Sequence, residues 1–200
     1  APSFSISARN AWALEILAEE GYRYSSSVAP IAHDHYGWPD SPRFAHRPVP
    51  DAPLVEFPVT TVRVGKRNFA AGGGGFFRLL PYRLSRAAID HVNRVEGQPA
   101  IFYFHPWEID PSQPVVRDAP FRSRLRHYTN LDAMERKLDR LLGAFRWGRM
   151  DQAFAGVLAA PVYQVSPLMG SNLIIIVFAV VALIVFQLLR LTEQRETNQL

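Results

Sequence analysis

Three stretches of the chain repeat apolar residues at helical spacing, and three shorter ones concentrate apolar and β-branched residues. Ser7 is placed to cap the first helix, Ala8 to Glu20, with apolar positions at Trp12, Ala13, Ile16 and Leu17 and Gly21 as its stop. Leu54 to Phe57 and Thr60 to Val64 gather apolar and β-branched residues on either side of Pro58 and predict two short strands, adjacent or one bent element. A second helix runs from Ser85 to Glu96, with Ala88, Val92 and Val95 on one face and Gly97 as terminator. The run Ala100 to Phe104, bounded by Gly97, Pro99 and Pro106, reads as a buried strand that delivers His105 to a sheet edge. Asn130 is placed to cap a third helix whose stripe is Leu131, Met134, Leu138, Leu141 and Leu142, ended by Gly143. Helix followed by strand is the rhythm of an α/β barrel.

The intervening stretches carry other information. Residues 29–53 are rich in proline, histidine and aspartate and read as a long irregular loop, of the kind that frames a binding site. Four consecutive glycines, Gly72 to Gly75, form either a plain turn or a place where backbone approaches a ligand closely. They lack the Gly-Lys-Ser/Thr ending of a phosphate-cradling loop. Arg117 to His127 is basic with Phe121 inside it, a pattern of a solvated face rather than of a nucleic-acid module. No charged residue occurs between Asp151 and Arg190, and Leu173 to Phe186 is wholly apolar. The resulting segment, 168–190, reaches about 20 residues, enough to span a bilayer core of roughly 30 Å, so a single transmembrane helix is expected, with a buried all-apolar helix as the alternative. Arg190 and Arg195 follow it, which orients the C-terminus to the cytoplasm and the folded domain outside. A cytoplasmic location is the alternative.

Composition narrows the chemistry. With no cysteine, nucleophilic thiols, cysteine zinc sites and disulfides are excluded. A net charge of +4 gives no more than a loose attraction to anionic glycans or lipid head groups. The chain opens on Ala1 without a signal-peptide pattern, so it is expected to start inside a longer reading frame or after processing.

His105 is the leading chemical candidate, because imidazole exchanges protons near neutral pH and a rigid strand end would hold it in place. A packed histidine beside Trp107 is the alternative. His33, Asp34 and His35 are ligand types that suit zinc, but three consecutive residues rarely converge on one ion.

Seven phrases in order carry a family resemblance: APSFSI (1–6), GYRYSSSV (21–28), HDHYG (33–37), GGGGFFRLLPY (72–82), FYFHPWEID (102–110), RHYTNL (126–131) and FRWGRMD (145–151). Together they resemble the C-terminal portion of a polysaccharide deacetylase of the NodB-homology type, in the group associated with exosortase and exopolysaccharide gene clusters. The resemblance implies the C-terminal part of a distorted (β/α) barrel over residues 1–155, followed by a linker (156–167), the transmembrane helix (168–190) and a short polar tail (191–200).

The family that it resembles hydrolyses N-acetyl groups of sugars with a divalent metal, commonly zinc. An aspartate and two histidines hold that metal, a second aspartate acts as base, and a late histidine protonates the departing amine. His105 matches the late histidine. Trp107, Gly74, Gly75 and Phe77 are then expected near the sugar. The metal-binding residues belong upstream of Ala1, as does an arginine directly before the Ala-Pro-Ser phrase, and Ser25 stands where the family often has aspartate. No metal site and no cofactor are therefore expected in this chain itself. The expected partners are an N-acetylated polysaccharide, a membrane through the C-terminal helix, and a missing N-terminal half, with no nucleic acid. The chain alone is expected to be an inactive, partial deacetylase; the alternative is a membrane-tethered, non-catalytic glycan-binding or scaffold protein.

Overall fold

Prolines and glycines keep every strand short in the computed structural model, which describes residues 1–33 and 36–160. Helix α1 (Trp12–Glu19) follows a single 3-10 turn, Ala8–Asn10, in which the Asn10 side-chain oxygen accepts the Ser7 N–H at 2.8 Å and the Ser7 hydroxyl at 2.9 Å. Strand β1 (Tyr24–Ser25) pairs in parallel with β2 (Val55–Glu56), in the register Tyr24 to Val55 and Ser25 to Glu56. Phe57 and Val59 extend that pairing by donating to the carbonyls of Ser25 and Val28. His46, from the long loop, bridges the other edge of β2. Strands β3 (Thr61–Val64) and β4 (Arg67–Ala70) form an antiparallel hairpin. Its two-residue loop opens on Gly65 at φ +58°, a backbone state that suits glycine.

The remaining elements are helices: α2 (Gly74–Leu79), α3 (Tyr82–Arg94), α4 (Phe121–Tyr128), α5 (Leu131–Ala144), α6 (Met150–Ala153) and α7 (Ala155–Ala159). Helix α3 joins two apolar clusters. Ala88 and Val92 pack with Val62, Ala71 and Leu80, while Ile89 packs with Phe77, Met134 and Leu141. Burying each such large side chain contributes roughly 1.5–3 kcal/mol. A third cluster sets Ile6, Leu14, Val28 and Leu54 together, and a fourth seats Phe154 of the C-terminal helices on Val55 and Phe57.

The barrel expectation is corrected. Among the described residues the strands form two separate two-stranded ladders, one parallel and one antiparallel, in a mixed α/β arrangement. The run Ala100 to Phe104 is extended but half-buried and meets Gly73 through one bridge at Tyr103. A central barrel strand needs partners on both edges, and this segment has one.

The transmembrane expectation is corrected too. Among the described residues no helix is long and apolar enough to cross a membrane. The longest, α5, has 14 residues and spans roughly 21 Å, short of an apolar bilayer core of roughly 30 Å. The segment on which the expectation fell lies within 161–200, outside the described residues. Single-pass topology, and the placement outside the cytoplasm that rested on it, have no support in the described structure.

Smaller differences have local causes. Trp12 and Ile16 are 59 % and 46 % exposed, and α1 packs through Ala13, Leu14, Leu17 and Ala18 instead. Helix α3 starts at Tyr82, not Ser85, because the carbonyl of Pro81, its N-cap residue, already accepts the N–H groups of Leu84 and Ser85; Val95 lies past its end and is exposed. In α5 the stripe Leu131, Met134, Leu138 and Leu141 is buried, while Leu142 falls off it.

Candidate active site

His105 stands at the end of the extended segment, and Pro106 directly starts the 3-10 turn Pro106–Ile109. That turn places Glu108 three residues on, from where its carboxylate reaches back to cap the start of the turn. One Glu108 oxygen, Oε2, accepts the His105 backbone N–H at 2.8 Å and lies 3.3 Å from the imidazole Nδ1. The other, Oε1, accepts Arg78 Nε–H at 2.8 Å in an ion pair that is almost wholly buried.

Arg78 belongs to α2, and its remaining donors tie the site to the end of α4. They reach the carbonyls of Arg126 at 2.6 Å and of His127 and Thr129 at 2.9 Å each. A buried charge requires this degree of pairing, since desolvation alone would cost several kcal/mol. The carbonyls at the end of α2 are met in turn by α5. Lys137 Nζ donates to the carbonyls of Phe77, Arg78 (3.1 Å) and Leu80 (2.7 Å), and Asn130 Nδ2 donates to Arg78 O at 2.9 Å. Burial pushes the Lys137 ammonium down to about 8, with the Arg78 charge adding to the shift. Asn130 thus stands at the head of α5, as its sequence position suggests, but its side chain serves α2.

Trp107 stacks with two imidazoles. His105 is stacked on it at 5.4 Å and His127 at 4.1 Å between ring centres, and the Arg78 guanidinium sits 5.2 Å from its ring. Gln113 donates its amide N–H to the carbonyls of Trp107 and Asp110, which leaves its Oε1 to accept from His127 Nε2–H at 2.6 Å. His127 is pushed down from its ordinary pKa by burial and then by Arg78, with Glu108 partly opposing. Tyr103 meets His105 edge-on at 5.7 Å. Burial raises the Tyr103 phenol well above its usual range, with Tyr36 adding to the effect.

The glycine-rich run is accounted for by chain packing. A Cβ on Gly72 would meet Val59 and the carbonyl of Ile101, one on Gly73 would overlap the Tyr103 carbonyl, and one on Gly74 would overlap the Tyr103 ring. Gly73 and Gly74 also hold φ of +117° and +59°. Gly75 has no such constraint. Of the residues expected near a sugar, Trp107 is stacked with His105 and His127, Gly74 packs on Tyr103, and Phe77 is buried in the core against Phe102. The side chain of His105 is 52 % exposed.

Arg78, Glu108, Tyr103, Gln113 and His127 complete the constellation and were not singled out in the sequence. Glu108 was within reach: His-Pro-Trp-Glu has the spacing of a reciprocal helix cap, with proline at the first helical position. Nothing local marks Arg78. Asp34 and His35 lie outside the described residues, and His33 stacks on Tyr36. No set of three histidine, aspartate or glutamate side chains among the described residues could hold a metal ion, so the residues in hand do not fit one.

What this geometry defines is a half-exposed imidazole backed by a buried carboxylate–guanidinium pair, on a small mixed α/β framework. Residues 26–155 match the family model described as "Domain of unknown function (DUF3473)", and the chain belongs to that family. No curated protein and no solved structure matches it.

Proposed function

We propose that this chain supplies the proton-donating part of a polysaccharide N-deacetylase, with His105 as the acid. The observation that carries the reading is the contact between His105 Nδ1 and buried Glu108. A carboxylate on Nδ1 fixes that nitrogen as the N–H donor, leaving Nε2 on an exposed ring to serve a substrate. The proposed step follows addition of a water oxygen to the acetyl carbon: the C–N bond of that adduct breaks, the protonated imidazole passes its Nε2 proton to the departing amine, and the acetyl group leaves as acetic acid with the water's oxygen in its carboxyl group. The matched family region wholly contains five of the seven phrases that resemble deacetylases, including the one that bears His105. Because the described residues do not fit a metal, no step is routed through one here, and the purified chain is expected to release no acetate.

The test is a titration of the whole chain with N-acetylglucosamine oligomers, followed through the imidazole resonances of His105, with acetate measured in parallel. The reading expects His105 to respond and acetate to stay at background. A His105 that does not respond at millimolar oligomer overturns the assignment of the acid. Acetate release abolished by His105→Asn would keep the acid but overturn the partial character of the chain.

A further inference from the structure

Helix α3 buries one face through Ser85, Ala88, Ile89 and Val92, and carries on the opposite face Arg83, Arg86, Asp90 and Arg94. Arg140 of α5 stands across from them, and the two helices enclose an open cavity of about 550 Å³ between these residues and Tyr82. Four arginines face one aspartate, and Asp90 is already paired with Arg94 at 2.8 Å. Among the described residues the guanidinium groups of Arg83 and Arg86 form no ion pair or hydrogen bond. Arg140 is ordered differently: its guanidinium lies 4.2 Å from the centre of the Tyr82 ring, and the Tyr82 hydroxyl donates to the Arg140 carbonyl at 2.9 Å.

We infer that this cavity is a binding site for an anionic polysaccharide, one that carries carboxylate or sulfate groups along its chain. An arginine fork accepts such groups through two parallel N–H donors, and a fork stacked on an aromatic ring keeps its donors aimed. Size and surface select the glycan over nucleic acid. A cavity of this volume falls in the range that holds a small ligand, roughly 300–1,000 Å³, and so admits one or two sugar rings. Single-stranded nucleic acid is held by free aromatic faces on which bases stack, whereas Arg140 lies over the Tyr82 ring. This inference deepens the deacetylase reading, on which its choice of polymer rests, by making the substrate an acidic glycan.

The test uses the whole chain and a polyuronate without acetamido groups, so that a failure of His105 chemistry leaves the result readable. Affinity electrophoresis through polyuronate is compared with electrophoresis through neutral dextran, for the unaltered chain, Arg83→Ser/Arg86→Ser, Arg83→Lys/Arg86→Lys, and a control of equal charge, Arg67→Ser/Arg146→Ser, at exposed positions elsewhere. The expected result is retardation by polyuronate alone, at least tenfold weaker in the serine pair, intermediate in the lysine pair and within twofold of normal in the control. No retardation of the unaltered chain, or equal loss in the control, overturns the site. Oligothymidine bound as tightly as polyuronate, with the same loss in the serine pair, overturns the choice of a glycan.

Discussion

The same Glu108 oxygen that accepts the His105 backbone N–H at 2.8 Å faces the His105 imidazole Nδ1 at 3.3 Å. Main chain and side chain of one residue are thereby aligned on one acceptor. The ring is expected to carry its proton on Nδ1 when neutral, with the lone pair on Nε2. Nitrogen-15 chemical shifts of the imidazole report this directly in the unaltered chain, and a neutral ring protonated on Nε2 would contradict it. In Glu108→Gln the preference for Nδ1–H should weaken.

Breaking the Arg78–Glu108 pair from one side should be costly, because the partner stays buried and charged. Arg78→Met is expected to destabilise the fold by about 3–5 kcal/mol in urea unfolding. Removing both charges in Arg78→Met/Glu108→Leu should cost at least about 1 kcal/mol less than the sum of the single changes, since each single change leaves an unpaired ion. Strict additivity would mean that the pair is not a unit. Recovery will be incomplete, because three carbonyls also lose Arg78.

Lys137 predicts a pH dependence. Its pKa falls from 10.5 to about 8 in the folded chain, chiefly through burial. Between those values the unfolded chain binds more protons than the folded one, so stability rises with pH across the window and is lost as pH falls through about 8. Tyr103 acts oppositely above its ordinary value of 10.0: its pKa is raised on folding, so its contribution is full below that value and declines above it. Urea midpoints compared between pH 7 and 9.5 should therefore climb more in the unaltered chain than in Lys137→Met. Parallel curves would remove Lys137 as the cause.

A contrast between neighbouring glycines tests the packing account of residues 72–75. Gly73→Ala combines positive φ with overlap on the Tyr103 carbonyl and should cost about 3 kcal/mol or more. Gly75→Ala has ordinary φ and room beside Arg78, and in helix α2 should gain about 0.5–1 kcal/mol. Thermal unfolding of the two variants distinguishes them; equal effects would sink the packing account.

Helical periodicity was legible where one face is buried and the other is charged. The stripe Leu131, Met134, Leu138 and Leu141 lies in the core as its spacing requires. It misled at α1, where Trp12 and Ile16 are also four residues apart but face outward, since apolar residues occur on nearly every side of that helix. Strand β4 was missed because Arg67 and Asn68 hide its alternation, although Gly65 and Lys66 supply its turn. His105 was reached from its place between an apolar run and a proline. Its setting depends on Arg78 and His127, which are distant in sequence and become neighbours only once α2 and α4 have packed.

One guanidinium holds both the Glu108 carboxylate and the last carbonyls of α4, and this makes the turn behind His105 and the end of that helix a single cooperative unit. The amide of His105, sealed by Glu108, and that of Thr129, bonded to Leu125 at 3.2 Å, share the same keystone. Their hydrogen exchange should follow one opening event, so the stiffness of the imidazole is set as much by how firmly α4 is shut as by its own surroundings.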